Sequence, residues 1–396
     1  MTGCYKIPRS EVGRHKIDAG GLRDTLVTLI DLALTFIELA GGSAPAISIL
    51  IALDHPAAYP CCMMQHIAPD DSRLRWKGAV SLEKSGGVVR PWRIPHREKA
   101  FYPAELAQHA ASPAGVRVCF ATTSTVLRGG VEPPESAAWP DLIVDGEPVE
   151  RVDSDAPGEF AFALPGEGRK TVELWLPLAA PFGLAYLEID VGTALEASVN
   201  SQPRWVTYGS SITQCSSAAS PAQTWPALVA RTRQWDLTCL GFGGQCHLDI
   251  EMARLLRGLP TDCISLCAGI NIYNQTSLNQ RTFGSALSGF VRLIREGHPK
   301  IPVLLLSPIF GCEREETANA TGWTLADYRG EVHHVADRIR SNGDNALYDL
   351  DGLELLGAGD AGHLPDSLHP DAEGYRIMAD RFLEKTSEML PPISRT

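Results

Sequence analysis

At 396 residues the chain has room for two domains of ordinary size, and 44% hydrophobic with 21% charged residues describes a soluble globular protein. A formal net charge of −12 excludes a nucleic-acid partner, because phosphate binding gathers Lys and Arg on one face and no such cluster occurs. Ten cysteines in a chain this long do not form a disulfide scaffold; Cys239, Cys263 and Cys267 sit inside apolar runs, as small buried hydrophobes do. Cys263 and Cys267 lack the spacing of a zinc site, and the cysteine usage places the protein in the reducing cytoplasm.

Residues 1–70 carry two apolar runs, Thr25–Ala40 and Ile47–Leu53. Asp31 and Glu38 interrupt the first, and Gly41, Gly42 and Pro45 separate it from the second. Neither run supplies the roughly 20 clean apolar residues of a membrane span. The order of features also differs from a secretory signal, so no membrane partner is expected. Two readings stand: a helical extension, or sequence upstream of a true start at Met63 or Met64, since domain-like patterning begins at Arg73.

From residue 73 to 195 short strand candidates alternate with Gly, Pro and Asp turns. They are Leu74–Glu83, Gly115–Thr123, Leu142–Val144, Glu159–Leu164, Thr171–Leu176 and Leu184–Val191, with Asp145-Gly146 as a tight-turn signal. A helix-period segment occurs only around Pro103–Ala111. Such a series predicts a β-sandwich of jelly-roll type.

From residue 202 to 391 strands and helices alternate. Strands are predicted at Trp205–Tyr208, Leu237–Leu240, Cys263–Cys267, Val303–Leu306 and Ala346–Leu350. Helices are predicted at Pro221–Arg233, Leu248–Leu256, Asn279–Gly297, Leu325–Arg340 and from Pro370 to Met389. The alternation predicts a parallel sheet with helices on both faces, a three-layer α/β/α domain of flavodoxin-like type. Ligands in such sheets bind at the carboxyl ends of the strands.

The polar motifs fall at those ends. Gly209-Ser210-Ser211-Ile212-Thr213 follows the first strand, Gly241-Phe242-Gly243-Gly244 the second, and Gly269-Ile270-Asn271 the third. Taken singly, each also reads as an ordinary turn, a flexible loop or a helix cap. Near the C-terminus Asp366-Ser367-Leu368-His369-Pro370 places a carboxylate three residues before an imidazole, with Pro370 expected at the first helical position. A carboxylate held so close can fix the imidazole's tautomer and stabilise its protonated form. His333 and His334 lie about 100° apart on a predicted helix and are poorly placed to share a ligand.

In this order the four motifs resemble the SGNH/GDSL hydrolase family over roughly Arg204–Leu390. Trp76–Val80, Arg90–Arg93 and Ala114–Arg117 look like the N-terminal domain of a bacterial two-domain branch of that family. The resemblance implies Ser211 as nucleophile, His369 as its general base and Asp366 as the residue orienting the His. It implies an oxyanion hole from the Ser211 N–H, the Gly244 N–H and the Asn271 side-chain amide. Ser210 stands where the family's first motif carries Asp, a departure that bears on loop geometry rather than on the chemistry.

His247 and Tyr273, next to these motifs, are the candidate substrate contacts, and His363 lies close enough to line the pocket. The expected activity is hydrolysis of an O-acyl ester of a polar alcohol, a sugar or natural product, through an acyl-Ser intermediate. It needs a small-molecule ester substrate and no cofactor or metal; the oligomeric state is left open. Two alternatives stand beside it. An acyltransferase would pass the acyl group from Ser211 to an acceptor alcohol. A carbohydrate-binding protein with an inactive hydrolase domain would bind sugar on Trp76, Trp92 or Trp175, although Trp175 alternates as a core residue does.

Overall fold

The computed structural model describes residues 64–133, 139–152, 157–199 and 201–395, and these form a single unit. The expectations for the apolar runs before residue 64 lie outside the described residues. Domain-like structure begins ahead of Arg73, because Met64–Ile67 is already a strand paired antiparallel with Gly183–Asp190.

Residues 64–197 build two antiparallel sheets, of seven and six strands, packed face to face. The first runs in the order 81–85, 88–92, 183–190, 126–132, 159–163, 151–152; the second runs 195–197, 117–122, 170–175, 141–144, 147–149. Alternating residues such as Phe160 and Phe162, or Val172 and Leu174, point inward to a shared core, as a sandwich requires. The single strand expected over Leu74–Glu83 is instead two, Arg75–Lys77 and Ser81–Ser85, because Gly78 turns the chain at φ +79°. Asp145-Gly146 forms the expected tight turn, with φ +50° and +92°. The strands Val88–Trp92 and Val126–Glu132 went unrecognised; Pro91 and Gly129-Gly130 break the usual strand composition there.

Residues 204–350 build a five-stranded parallel sheet in the order 236–241, 204–209, 263–267, 303–306, 347–350. This 2-1-3-4-5 order is the flavodoxin-like one. Buried apolar side chains fill the layers, with Trp205 at the centre of an aromatic cluster of Trp225, Trp235 and Phe382. The C-terminal helix is Ala372–Met389, two residues later than Pro370 predicted. Asp371 takes the N-cap position and its carboxylate accepts the Gly374 N–H at 2.7 Å, so Pro370 stands just before the cap. Among the described residues no helix is long and apolar enough to cross a membrane.

The sandwich meets the parallel sheet at its edge strand, Asp236–Gly241. An edge strand presents a row of unpaired carbonyls two residues apart. Here two fully buried arginines fill that row. Arg117 donates to the Leu237 carbonyl at 3.1 Å and to the Asp236 carboxylate at 2.6 Å. Arg93 donates to the carbonyls of Cys239, at 3.4 Å, and Gly241. The two halves approach so closely that a Cβ on Gly115 would lie 2.6 Å from the Cys239 Cβ.

Candidate active site

The first strand ends in a short helix, Ser211–Gln214. Ser210 is its N-cap, and its hydroxyl accepts the Ile212 N–H at 3.2 Å. Ser210 thus caps the turn with its own oxygen. Ser211 stands first in the helix, where its N–H has no intrahelical acceptor. Gly241, at the end of the neighbouring strand, allows this turn to pack: a Cβ there would lie 2.3 Å from the Gln214 nitrogen.

The loop 366–369 folds tightly because Ser367 adopts φ +62°. Asp366 Oδ1 accepts the backbone N–H of Leu368 at 3.0 Å and of His369 at 2.6 Å. Its Oδ2 accepts from His369 Nδ1 at 2.6 Å. That bond assigns the proton to Nδ1 and leaves Nε2 to accept from the Ser211 hydroxyl at 2.8 Å. Burial works to raise the Asp366 pKa, but the His369 N–H and imidazole outweigh it and hold the carboxyl at about 2. The carboxylate therefore stays ionised across the working range. A Ser, a neutral imidazole and an ionised carboxylate in one hydrogen-bonded row can remove the hydroxyl proton as Ser attacks an electrophile.

Three loops are tied to one another by side-chain hydrogen bonds. Gln214 Oε1 accepts the Gly243 N–H at 2.8 Å, which joins the serine turn to the glycine loop. The Cys246 N–H donates to Asn271 Oδ1 at 3.0 Å, which joins the glycine loop to the helix Ile270–Gln275. With Oδ1 so committed, the amide of Asn271 turns its Nδ2 away from Cys246, and among the described residues that nitrogen has no acceptor. Gly244 sits at φ +69°, and among the described residues its N–H has no partner. Its carbonyl accepts from Gln275 Nε2 at 2.7 Å and His247 Nε2 at 2.9 Å. Free donors so held match the chemistry of stabilising a developing oxyanion.

Comparison with known proteins agrees in both halves. The SsfX3 N-terminal domain family matches residues 74–185, and the GDSL-like Lipase/Acylhydrolase family matches residues 202–386. Among solved structures, the salicylyl-acyltransferase SsfX3 from a tetracycline biosynthetic pathway is 35% identical, over 82% of this chain and 97% of that one, with a TM-score of 0.76. The chain belongs to the SGNH/GDSL hydrolase family. A putative GDSL-like lipase from Bacteroides ovatus shares the fold at 20% identity, over 84% of this chain and 100% of that one, with a TM-score of 0.69. So does a family two carbohydrate esterase from Cellvibrio japonicus, at 15% identity over 83% and 98%, with a TM-score of 0.58. No curated protein matches the chain.

Set against the SGNH/GDSL expectation, Ser211, His369 and Asp366 stand in one row, and Gly244 and Asn271 are joined to it through Gln214, Cys246 and Gln275. The two expected substrate contacts are placed differently. Both ring nitrogens of His247 are engaged, Nε2 by the Gly244 carbonyl and Nδ1 by the Ser277 hydroxyl at 2.7 Å, so the ring braces the glycine loop. Tyr273 is buried behind Asn271 and its hydroxyl donates to the Thr317 carbonyl at 2.8 Å. His363 pairs with Asp371 at 3.3 Å, beside the start of the last helix. His333 bonds to Asp349 while His334 pairs with Glu331 at 3.6 Å, so the adjacent rings diverge. Among the described residues no group of three or more His, Cys, Asp or Glu gathers as a metal would require.

The SGNH/GDSL motifs did not reveal Gln214, Arg314 or Arg93. Gln214 stands one residue past the serine motif. Arg314 donates to the Ser367 carbonyl at 2.8 Å and to Asn274 Oδ1 at 3.2 Å, bracing the 366–369 loop against the helix Ile270–Gln275. Arg93 donates to the Gly241 carbonyl from the other half of the molecule. Only three-dimensional placement discloses such contacts, since each joins segments far apart in the chain.

Proposed function

We propose that the protein hydrolyses an O-acyl ester of a polar alcohol through a covalent acyl-Ser211 intermediate. In this reading His369 Nε2 takes the Ser211 proton as the oxygen attacks the ester carbonyl, and Asp366 stabilises the imidazolium. The Ser211 N–H, Gly244 N–H and Asn271 Nδ2 receive the negative charge of the tetrahedral intermediate. His369 then returns the proton to the departing alcohol, and water, deprotonated by the same imidazole, releases the acid. The observation carrying the reading is the relay itself: Ser211 Oγ to His369 Nε2 at 2.8 Å and His369 Nδ1 to Asp366 at 2.6 Å, on a chain of this family.

Ser211→Ala is expected to lower kcat on an acetate ester by about 10⁶-fold with an unchanged melting temperature. Full activity in that variant would discard the reading. A second reading, transfer of the acyl group to an acceptor alcohol, is supported by the 35% identity to the salicylyl-acyltransferase over nearly its whole length. Its test is to weigh the products formed from one acyl donor with and without acceptor alcohols; free acid alone favours hydrolysis. A purely sugar-binding role on Trp76, Trp92 or Trp175 is supported less: Trp175 is fully buried beneath Arg117, and the partly buried Trp76 and Trp92 already spend their indole N–H on Pro69 and Glu83. The seven described cysteines are all free, which supports a reducing, cytoplasmic setting.

A further inference from the structure

The helix Ala104–Ala110 belongs to the antiparallel half, yet it docks on the glycine loop of the other half. Two contacts hold it there. Arg93 donates from Nη2 to the His109 carbonyl at 2.7 Å and from Nη1 to the Gly241 carbonyl, so one guanidinium spans both segments. Gln245, the residue after Gly244, donates to Glu105 at 2.8 Å. Between these contacts the His109 ring lies against the loop: a Cβ on Gly243 would stand 3.2 Å from its Cε1 and 3.6 Å from its Nδ1. A side chain at 243 would push the ring aside.

The ring is held in place but chemically unspent. It is half-buried, and among the described residues neither ring nitrogen has a hydrogen-bond partner, nor is either sealed from solvent. Burial, helped by the Arg93 cation, holds its pKa below the ordinary histidine value, so at neutral pH it offers one donor and one acceptor. His247 and Tyr273 have spent their polar atoms inside the protein. His109 has not. The opposite flank, beyond strand 204–209 from the glycine loop, is apolar: Ile212, Ile270, Pro308, Phe310 and Leu368 line a small cavity between the serine turn, the asparagine helix and the 366–369 loop. An ester laid across the two flanks would turn its acyl group toward the apolar side and its polar alcohol toward His109.

We propose that His109 is a specificity-determining residue, whose imidazole hydrogen-bonds the hydroxyls of a polyhydroxylated alcohol, the non-acyl part of the ester. The substrate class is then an acylated sugar or similar polyol, recognised jointly by both halves of the chain. This rests on the esterase reading of the Ser211 site.

The test compares two acetates that differ only in the alcohol, p-nitrophenyl acetate and 6-O-acetylglucose, on wild type, His109→Ala and His109→Gln. His109→Ala is expected to raise KM for the sugar ester about three- to tenfold, the loss that accompanies one neutral hydrogen bond, with kcat and the p-nitrophenyl reaction within about twofold of wild type. His109→Gln, which keeps a neutral donor and acceptor, should recover most of the loss. Equal losses on both esters, or none on either, overturn the proposal. A binding titration of 6-O-acetylglucose to Ser211→Ala, with and without His109→Ala, separates this idea from the esterase reading. Weaker binding in the double variant upholds His109 even if wild type turns over neither ester, an outcome that would instead sink the esterase reading. Identical binding, or none to the Ser211→Ala protein, overturns the His109 proposal.

Discussion

The two halves of the molecule put their polar groups to different use. In the parallel half the polar side chains at issue stand on loops at the carboxyl ends of strands, and they bond to one another: Ser211 to His369, His369 to Asp366, Asn271 to the Cys246 N–H. In the antiparallel half two of the most deeply buried charges reach out of their own sandwich, while Lys170 stays within it, on the Ser124 carbonyl. Arg93 and Arg117 reach the carbonyls of the edge strand Asp236–Gly241. A buried guanidinium is costly unless its donors are used, and a row of edge carbonyls is costly unless filled; each arrangement relieves the other. The hydrogen-bonded motif residues are thus concentrated in one half, and the support for its second loop comes from the other.

That contrast can be broken by substitution. Asp366→Asn should lower kcat by about 10⁴-fold, because the amide no longer favours the Nδ1–H tautomer of His369. Asp366 is largely exposed, so the melting temperature should hardly move. A large drop in stability would show that the loop, not the proton relay, depends on the carboxylate. Arg93→Met should do the reverse. Burial holds the guanidinium at about 10, still cationic at neutral pH, and its removal orphans carbonyls at Ser112, Cys239 and Gly241. Chemical denaturation should then show a loss of about 3 kcal/mol, with activity falling far less than in Asp366→Asn.

A third, smaller effect sharpens the comparison within the parallel half. His333 is held above its ordinary pKa chiefly by its bond to Asp349, and Asp349 below the carboxylate range chiefly by His333. The His contribution is complete below about pH 6.5 and fades as pH rises through its raised folded value. The Asp contribution is complete above about pH 4 and fades as pH falls through its lowered value. His333→Gln should therefore cost about 1 kcal/mol near pH 5–6 and less near pH 9, read from thermal unfolding at each pH, with turnover unchanged. A cost that grew toward pH 9 would refute the sign of the coupling.

The parallel half was the more legible in sequence. Apolar runs such as Cys263–Cys267 and Val303–Leu306 are buried on both faces, and their ends match the observed strands. The motifs could be read because Ser211, Gly244, Asn271 and His369 each follow a recognisable strand or precede a helix. The antiparallel half was read less completely: Gly129 and Gly130 occur in a strand because Phe160 and Tyr186 stack where side chains would stand, a cross-strand fact with no local signature. The contacts of His109 and Arg93 with the glycine loop were unreadable for the same reason, although Arg93 lies in a segment that resembles the family's N-terminal domain. Their roles arise from a meeting of segments more than a hundred residues apart, and neither carries a pattern of its own.

The arginine-filled edge has one more consequence. A flavodoxin-like sheet ends on two open flanks, and here the 236–241 flank is closed by side chains rather than by another strand. Severed from its first two hundred residues, the catalytic half would present a sticky backbone rail, free to recruit a foreign strand. The two arginines thus close a backbone row that would otherwise lie open, at the point where the glycine loop begins.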